Sequence, residues 1–580
     1  MIQQIQINAK SSLLISQITH PRSITNPKSI LFPPNFTYKH LSRSNLNLIS
    51  HSPSTSLTSH NLTVDSSMDL NRNSDDRRNS TLICAPIMGD TVDEMLSLMN
   101  KAEKVGVDVV EIRLDYLKDF SPKRDIEILI SKSPLPTLIT YRPTWEGGEY
   151  EGDESMRLNA LRLAMELGAD YIDVELQVAA EFINSIREKK SEKLKIIVSS
   201  HNYHRTPSAE EIGSLVEKIK ATGADIVKIA TTALDISDVA RVFQMTANSP
   251  VPVIGLVMTE KGLMSRILCP KYGGYLTFGT LEAGKVSAPG QPTVADLLNL
   301  FNFRQIGPDT KIVGLIGNPV SHSKGPFMFN KAFNKVGFNG VYLPFLVDNI
   351  KDFLETYASS PDFAGFSCTI PHKEEALKCC DEVDPIARAI GAVNTIIRRP
   401  SDGKLIGYNT DYIGAISAIE IGLKGVPLAG KRFVVIGAGG AGKALAYGAK
   451  AKGANVVIAN RTYSRAKELA DLVGAEAVSL DDLAKYHPED GMILANTTSI
   501  GMQPKINETP IPKNALKNYT LVFDAVYTPK MTRLLLDAEE TGCTVVTGLD
   551  MFVRQAFEQY ARFTGLPVPE EFMWETMSGY

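Results

Sequence analysis

From Thr81 onward the chain alternates short β-rich apolar runs with amphipathic stretches of helical spacing. Strand spacing followed by helix spacing, repeated, is the pattern of βα units around a parallel sheet. Eight such runs follow one another: "TLICAPI", "VDVVEIRLD", "PTLITYR", "YIDVEL", "KIIVSSHN", "DIVKIATT", "VPVIGLVM" and "YLTFGTL". They predict an α/β chain opening with a (β/α)8 barrel over residues 79–305, whose reactive side chains belong where strands end and loops begin. The alternation restarts at "KIVGLIG" and continues to the C-terminus, predicting a second folded unit over 311–580.

A chain of 580 residues exceeds one hydrophobic core, in keeping with several domains. Its 61 basic and 65 acidic side chains nearly balance, giving no reason to expect a nucleic-acid track or a membrane-seeking face. Six scattered cysteines without a C-x-x-C pair point to a reducing compartment and to no structural metal. The first 64 residues lack Asp and Glu, are rich in Ser and carry no long apolar run. That composition predicts a plastid-type transit leader over 1–78, with the plastid stroma as destination. Met68 could start a shorter cytoplasmic form.

The polar residues of the barrel runs fall at strand ends: Glu111, Arg113 and Asp115 close the second, Arg142 the third, His201 the fifth, and Arg266 follows the seventh. Lys228 stands inside the sixth, between Val227 and Ile229, on a strand expected to be buried. Desolvation favours its neutral amine, which can attack a ketone; a lysine simply paired to a carboxylate is the competing reading. His201, one strand away, can move a proton at neutral pH. Three arginines at one rim imply an anionic substrate, a carboxylate above all.

"EIRLD", "YRPTWEGGEYEG", "SSHNYHRTPS", "VKIA", "SRILCPKYGGYLTFG" and "SAPGQPT" resemble the successive motifs of type I 3-dehydroquinate dehydratase across the whole barrel. The resemblance implies that Lys228 forms an imine with the C3 ketone and His201 shuttles the proton. It also implies that Glu111, Arg113, Arg142, Arg266, Ser287 and Gln291 hold the substrate, with Glu146 in the matching "WEGG".

In the second unit Gly437, Gly439 and Gly442 follow "FVVI" and open a helical stretch, the arrangement of a dinucleotide-binding turn. The next strand ends at Asn460, Arg461 and Thr462 rather than at an acidic residue, which favours NADP, with NAD as the alternative. Lys373 and Asp411 both follow strand-like runs, where a lysine and a carboxylate can pass a proton while hydride leaves for a nicotinamide. A surface salt bridge is the competing reading for each, and it loses ground because sites in α/β folds collect where strands end.

"NPVSHSKGP", "CTIPHKEEAL", "GAVNTI", "GYNTD", "NTTSIGM", "YTPK" and "RQAFEQY" resemble the shikimate dehydrogenase family over about 311–575. The resemblance implies a substrate domain over 311–415, completed by 545–580, around a Rossmann domain over 416–544. It makes Lys373 and Asp411 the catalytic pair. Substrate contacts pass to Ser321, Ser323, Gly325, Thr369, Asn394, Tyr527, Gln555 and Gln559. Cofactor contacts pass to Gly437, Ala438, Gly439, Gly440, Ala441, Gly442, Asn460, Arg461, Thr462, Asn496, Thr497 and Gly548. A dehydratase barrel ahead of this unit, behind a plastid-type leader, is similar to the plant bifunctional 3-dehydroquinate dehydratase/shikimate dehydrogenase family. The partners so implied are the small molecules dehydroquinate, dehydroshikimate, shikimate and quinate, acted on by a monomer.

Two positions depart from the family pattern: Gly325 stands where a second substrate-binding serine is usual, and Phe329 where histidine is. Both are expected beside the substrate. Copies of the plant family with glycine there are associated with quinate, so quinate is the expected substrate, with shikimate as the alternative. A glycine serving only the turn before Pro326 is the competing reading. A catalytically silent sensor of the same fold is a further alternative, against which Lys228, His201, Lys373 and Asp411 all stand in place.

Overall fold

The computed structural model describes residues 78–486 and 488–579. The expected leader therefore lies outside the described residues, apart from Arg78.

The eight runs form eight parallel strands: β1 (Leu82–Ile87), β2 (Val109–Arg113), β3 (Thr137–Thr140), β4 (Tyr171–Glu175), β5 (Lys195–His201), β6 (Ile226–Thr232), β7 (Val253–Met258) and β8 (Leu276–Phe278). They lie in the order β7-β6-β5-β4-β3-β2-β1-β8. The Tyr275 N–H donates to the Val253 carbonyl at 2.8 Å and brings the two ends together into the expected barrel.

Strand periodicity explains where the chemistry sits. Alternate side chains point into the barrel. Near the strand starts these are Cys84, Val109, Leu138, Ile197, Ile226 and Ile254, which pack into one apolar plug. Two positions further along each strand the same face carries Glu111, Thr140, Asp173, Ser199 and Lys228, all buried. The barrel is thus apolar at its N-terminal end and densely charged at its C-terminal end.

The second unit holds two six-stranded sheets. One comprises β9 (Lys311–Gly317), β10 (Gly340–Leu346), β11 (Phe363–Cys368), β12 (Glu382–Val383), β13 (Thr395–Arg398) and β14 (Leu405–Tyr408), in the order β10-β9-β11-β13-β14-β12. The other, fully parallel, comprises β15 (Arg432–Ile436), β16 (Asn455–Asn460), β17 (Glu476–Ser479), β18 (Met492–Asn496), β19 (Tyr519–Asp524) and β20 (Thr544–Val546), in the order β17-β16-β15-β18-β19-β20. Both are buried on two faces: Phe433 and Val435 of β15 enter one core, Val434 and Ile436 the other. The C-terminal helices Gly548–Thr564 and Glu570–Ser578 return to pack on the first of these sheets, through Val553, Tyr560, Phe563 and Met573.

The barrel and the first of these sheets share a hydrophobic core, in which Phe353, Leu354 and Tyr357 join barrel side chains. The Tyr357 hydroxyl donates to the Ile236 carbonyl at 2.7 Å, and Lys271 reaches Asp362 at 3.1 Å.

Candidate active sites

The C-terminal mouth of the barrel holds an open pocket lined by Glu111, Arg113, Arg142, His201, Lys228, Arg266, Ser287 and Gln291, among others. Lys228 is buried with its Nζ 2.7 Å from Asp173 Oδ2, 3.8 Å from Glu111 Oε1 and 4.7 Å from the centre of the Phe278 ring. Lys228 is thus not a bare amine in an apolar wall: it has a carboxylate partner in Asp173, with Glu111 close by.

His201 lines the same pocket. Burial foremost, then Arg142 and Lys228, lower its pKa well below the ordinary imidazole value, so the ring is neutral. Glu146 Oε1 accepts the His201 backbone N–H at 2.7 Å and lies 3.2 Å from Nδ1. That contact orients the ring and leaves Nε2 as the unprotonated nitrogen. Glu146 was expected to hold substrate; its carboxylate, its own pKa raised chiefly by burial, instead holds the histidine.

The three arginines also divide. Arg113 forms a two-bond fork with Asp115, at 3.0 and 2.6 Å. Arg142 meets Asp173 at 2.9 Å, Glu175 at 2.7 Å and Ser199 at 2.9 Å. Burial opposes its charge, but these acids hold its pKa up; burial likewise opposes the charge of Asp173, whose pKa Arg142 and Lys228 hold down. Although both arginines line the cavity, neither is a vacant anion clamp. Arg266 is different: its buried Nε has no partner, its Nη2 donates to the Pro289 carbonyl at 3.5 Å, and burial alone lowers its pKa to about 10. Gln291 presents a second unmet donor, its Nε2, while its Oε1 accepts from the Ser287 N–H and hydroxyl at 3.0 and 3.2 Å. Arg266 and Gln291 are together ready to receive an anion. The acids that neutralise Arg142, Asp173 and Glu175, were missed in the sequence, although "YIDVEL" places both on the inward face of β4.

In the second unit Lys373 opens the helix Lys373–Cys379 after β11, and Asp411 opens the helix Asp411–Gly422 after β14. Their side chains meet, Nζ to Oδ2, at 2.5 Å. A carboxylate at a helix N-terminus is stabilised by the helix dipole. Asn394 donates to Asp411 Oδ1 and to Thr410, both at 2.9 Å, and Gln555 Oε1 accepts from Thr410 at 3.1 Å. Thr369 lies one residue beyond Cys368, whose N–H meets the Asn394 carbonyl at 2.7 Å. Gln559 does not reach a site surface: it is buried, accepting from Ser367 at 2.9 Å and donating to Thr395 at 2.9 Å.

Around Gly325 the helix Gly325–Val336 begins, preceded by exposed Ser321 and half-buried Ser323. Ser323 Oγ accepts the Gly325 N–H at 3.1 Å and is in hydrogen-bonding contact with Tyr527. Gly325 is absent from the residues of positive φ, so no turn requires glycine there. A Cβ on it would lie 3.1 Å from Tyr342 Cε1 and 3.2 Å from Ser323 Oγ. Phe329 was expected beside the substrate; it is instead 1% exposed and stacks face to face on Tyr342 at 4.5 Å. Tyr342, unremarked in the sequence, is therefore the wall between the two departures.

The glycine turn joins β15 to the helix Gly440–Ala451. Gly437 has φ +111°, and a Cβ at Gly442 would lie 2.1 Å from the Gly437 carbonyl oxygen, so both need glycine. Gly439 faces open space, leaving the turn approachable at the helix N-terminus, as a pyrophosphate requires. Ala438 is buried within this turn, Ala441 is half-buried on the helix, and Gly440 lets the helix close on the Lys373 stem, whose Cδ would be 3.0 Å from an added Cβ. The β16 end presents Asn460, exposed Arg461 and exposed Thr462. Thr497 is tied by its hydroxyl to the Ile436 carbonyl at 2.7 Å, and a Cβ on Gly548 would lie 2.6 Å from the Ala525 and Val526 carbonyl oxygens. Asn496, expected at the cofactor, is instead fully buried, donating to Asp524 at 3.0 Å and accepting from Thr498. It shapes the turn from behind.

Fold and sites together define a barrel lyase joined to a nucleotide-dependent oxidoreductase. Family models match in the same order: type I 3-dehydroquinase over 83–308, the shikimate dehydrogenase substrate binding domain over 315–396, shikimate/quinate 5-dehydrogenase over 420–525 and the shikimate 5'-dehydrogenase C-terminal domain over 548–577. The chain is 61% identical to the chloroplastic bifunctional 3-dehydroquinate dehydratase/shikimate dehydrogenase of Arabidopsis thaliana, over 98% of this chain and 94% of that one. It is also 42% identical to the NADP(+) shikimate dehydrogenase of Pyrococcus furiosus, over 45% of this chain and 92% of that protein. Among solved structures, the dehydroquinate dehydratase and shikimate dehydrogenase from S. pombe AroM matches 86% of this chain and 98% of its own length, with 26% identity and a TM-score of 0.39. The chain belongs to the bifunctional 3-dehydroquinate dehydratase/shikimate dehydrogenase family, enzymes that carry a lyase and an oxidoreductase in one polypeptide.

Proposed function

We propose that the barrel dehydrates 3-dehydroquinate through Lys228, and that the second unit transfers hydride between NADP and a ring hydroxyl, with quinate favoured over shikimate. The observation that carries the first half is Arg266, a buried guanidinium without a carboxylate partner among the described residues, at the mouth that also holds Lys228. A substrate carboxylate supplies what Arg266 and Gln291 lack, and turns the ring's ketone toward Lys228. His201 takes a proton from Lys228, the Lys228 nitrogen adds to the C3 carbonyl, and His201 returns that proton to the carbinol oxygen, so that one water leaves as the iminium forms and the imidazole is neutral again. The iminium draws electrons from the C2–H bond; His201 receives that proton and returns it to the departing C1 hydroxyl. A second water hydrolyses the imine, freeing the enone and the amine, so the net change is loss of one water.

In the second unit the glycine turn and Arg461 fit a dinucleotide bearing a 2′-phosphate, which when bound accepts or gives the hydride. Lys373 and Asp411 exchange the proton of the reacting hydroxyl. Thr369, Gln555 and Tyr527 border the ring, and Ser323 meets the carboxylate end. The P. furiosus relative is named for NADP(+), which supports the same choice here. Arg461→Asp is expected to lower kcat/KM for NADP by about 100-fold while that for NAD holds or rises. Steady-state kinetics with each nucleotide checks this.

Quinate is favoured because Gly325 has no backbone reason to be glycine, and the side chain it lacks would start 3.2 Å from Ser323 Oγ, at the end of the ring where quinate carries one hydroxyl more than shikimate. Gly325→Ser is expected to shift the kcat/KM ratio toward shikimate by about ten- to a hundredfold, read with both polyols and NADP. An unchanged ratio would reject the quinate reading. The leader composition and the chloroplastic name of the Arabidopsis relative support a plastid location.

A further inference from the structure

A row of buried polar groups ends on the Lys373–Asp411 pair. The Tyr342 hydroxyl donates to Ser367 Oγ at 2.8 Å, Ser367 to Gln559 Oε1 at 2.9 Å, and Gln559 Nε2 to Thr395 Oγ1 at 2.9 Å. Thr395 then donates to Asn394 Oδ1 at 2.8 Å, and Asn394 Nδ2 to Asp411 Oδ1 at 2.9 Å.

Two backbone groups fix the direction of every bond. Gln559 Nε2 also reaches the Asn394 carbonyl at 3.2 Å, a contact only an N–H can make, so Oε1 must face Ser367. The Thr410 backbone N–H donates to Asn394 Oδ1 at 2.8 Å, so Nδ2 must face Asp411. The Ser367 and Thr395 hydroxyls then have one choice each, and Tyr342 must donate into the row. Five donors in series point at one oxygen of Asp411, leaving the other oxygen to Lys373. Such bonds polarise one another, and a fully satisfied buried row is rigid. Its far end is the ring against which a Cβ at position 325 would press.

We propose that Gln559, together with Ser367 and Tyr342, is a positioning residue for the oxidoreductase step: the row fixes the orientation of Asp411 and so presents Oδ2 to Lys373. This rests on the assignment of Lys373 and Asp411 as the proton-transfer pair. None of the three positioning side chains touches substrate in this scheme, so their loss acts on turnover and not on binding.

The test uses full-length Ser367→Ala, Ser367→Thr, Gln559→Met and Tyr342→Phe, with Lys373→Met as the reference. In polyol oxidation Ser367→Ala and Gln559→Met are expected to lower kcat about ten- to a hundredfold, with KM for the polyol held within about twofold. Tyr342→Phe falls less, because Ser367 can still donate. Ser367→Thr, which keeps the hydroxyl, restores most of the rate. Wild-type kcat in Ser367→Ala and Gln559→Met, a loss carried by KM, or Thr no better than Ala would each overturn the inference. If Lys373→Met is itself fully active, the underlying assignment fails; if it is inactive while the other variants turn over normally, only the row fails.

Discussion

Replacing Lys228 with methionine is expected to lower dehydratase turnover by about 10⁴-fold or more, while NADP-linked oxidation proceeds at the wild-type rate. Methionine keeps much of the length and apolar contact of the lysine stem, so the barrel loses its amine with little change in packing. Asp173 keeps Arg142 at 2.9 Å as a partner, which limits the cost of removing its other cation. The large effect follows from covalency. Without a nitrogen to condense with the ketone there is no electron sink, and His201 faces a C–H bond of ordinary acidity. Borohydride reduction in the presence of dehydroquinate, followed by mass analysis, checks the step directly: wild type should retain a reduced adduct on the peptide containing Lys228, and the methionine variant none. A dehydratase that turned over normally without the amine would remove imine chemistry from the proposal and leave Arg266 as a binding group only.

Lys228 stood out in the sequence because a charge in the middle of a buried strand has few structural uses. The same logic extended to its neighbours: one inward-facing position per strand, two residues past the apolar plug, gives Glu111, Asp173, Ser199 and Lys228. Applied to all eight runs, that alternation would have added Asp173 and Glu175. Partnering is what the sequence could not convey. Arg113, Arg142 and Arg266 are three equal positive charges at one rim on paper, but Arg113 is neutralised by Asp115 two residues on, Arg142 by acids from another strand, and the Nε of Arg266 has no partner. Amides posed the same difficulty. Asn496 and Gln559 lie in motifs that also carry ligand-facing residues, and a side chain that donates and accepts can serve a ligand or the frame behind it equally well. Phe329 misled for a third reason: it is four residues from Gly325, one helical turn along, yet Tyr342 from the adjacent strand comes between them.

Lys373→Met carries the other large expected effect, a fall of about 10³-fold in oxidoreductase kcat with dehydratase activity intact. The ammonium sits on one oxygen of Asp411 at 2.5 Å, while Asn394 holds the other at 2.9 Å. Removing Lys373 therefore leaves a carboxylate that is still oriented but has lost its proton-transfer partner. Asp411→Asn keeps the shape and deletes the charge, so it should lose turnover to a similar degree, and the double variant should be little worse than either single one because the two act as a unit. Dinucleotide affinity provides the control. Gly440 lets the nucleotide helix close on the lysine stem, and methionine preserves that apolar stem, so NADP binding should change by no more than about threefold. Strict additivity of the two losses would mean that Lys373 and Asp411 act separately, and the row of hydrogen bonds leading to Asp411 would then serve the fold alone.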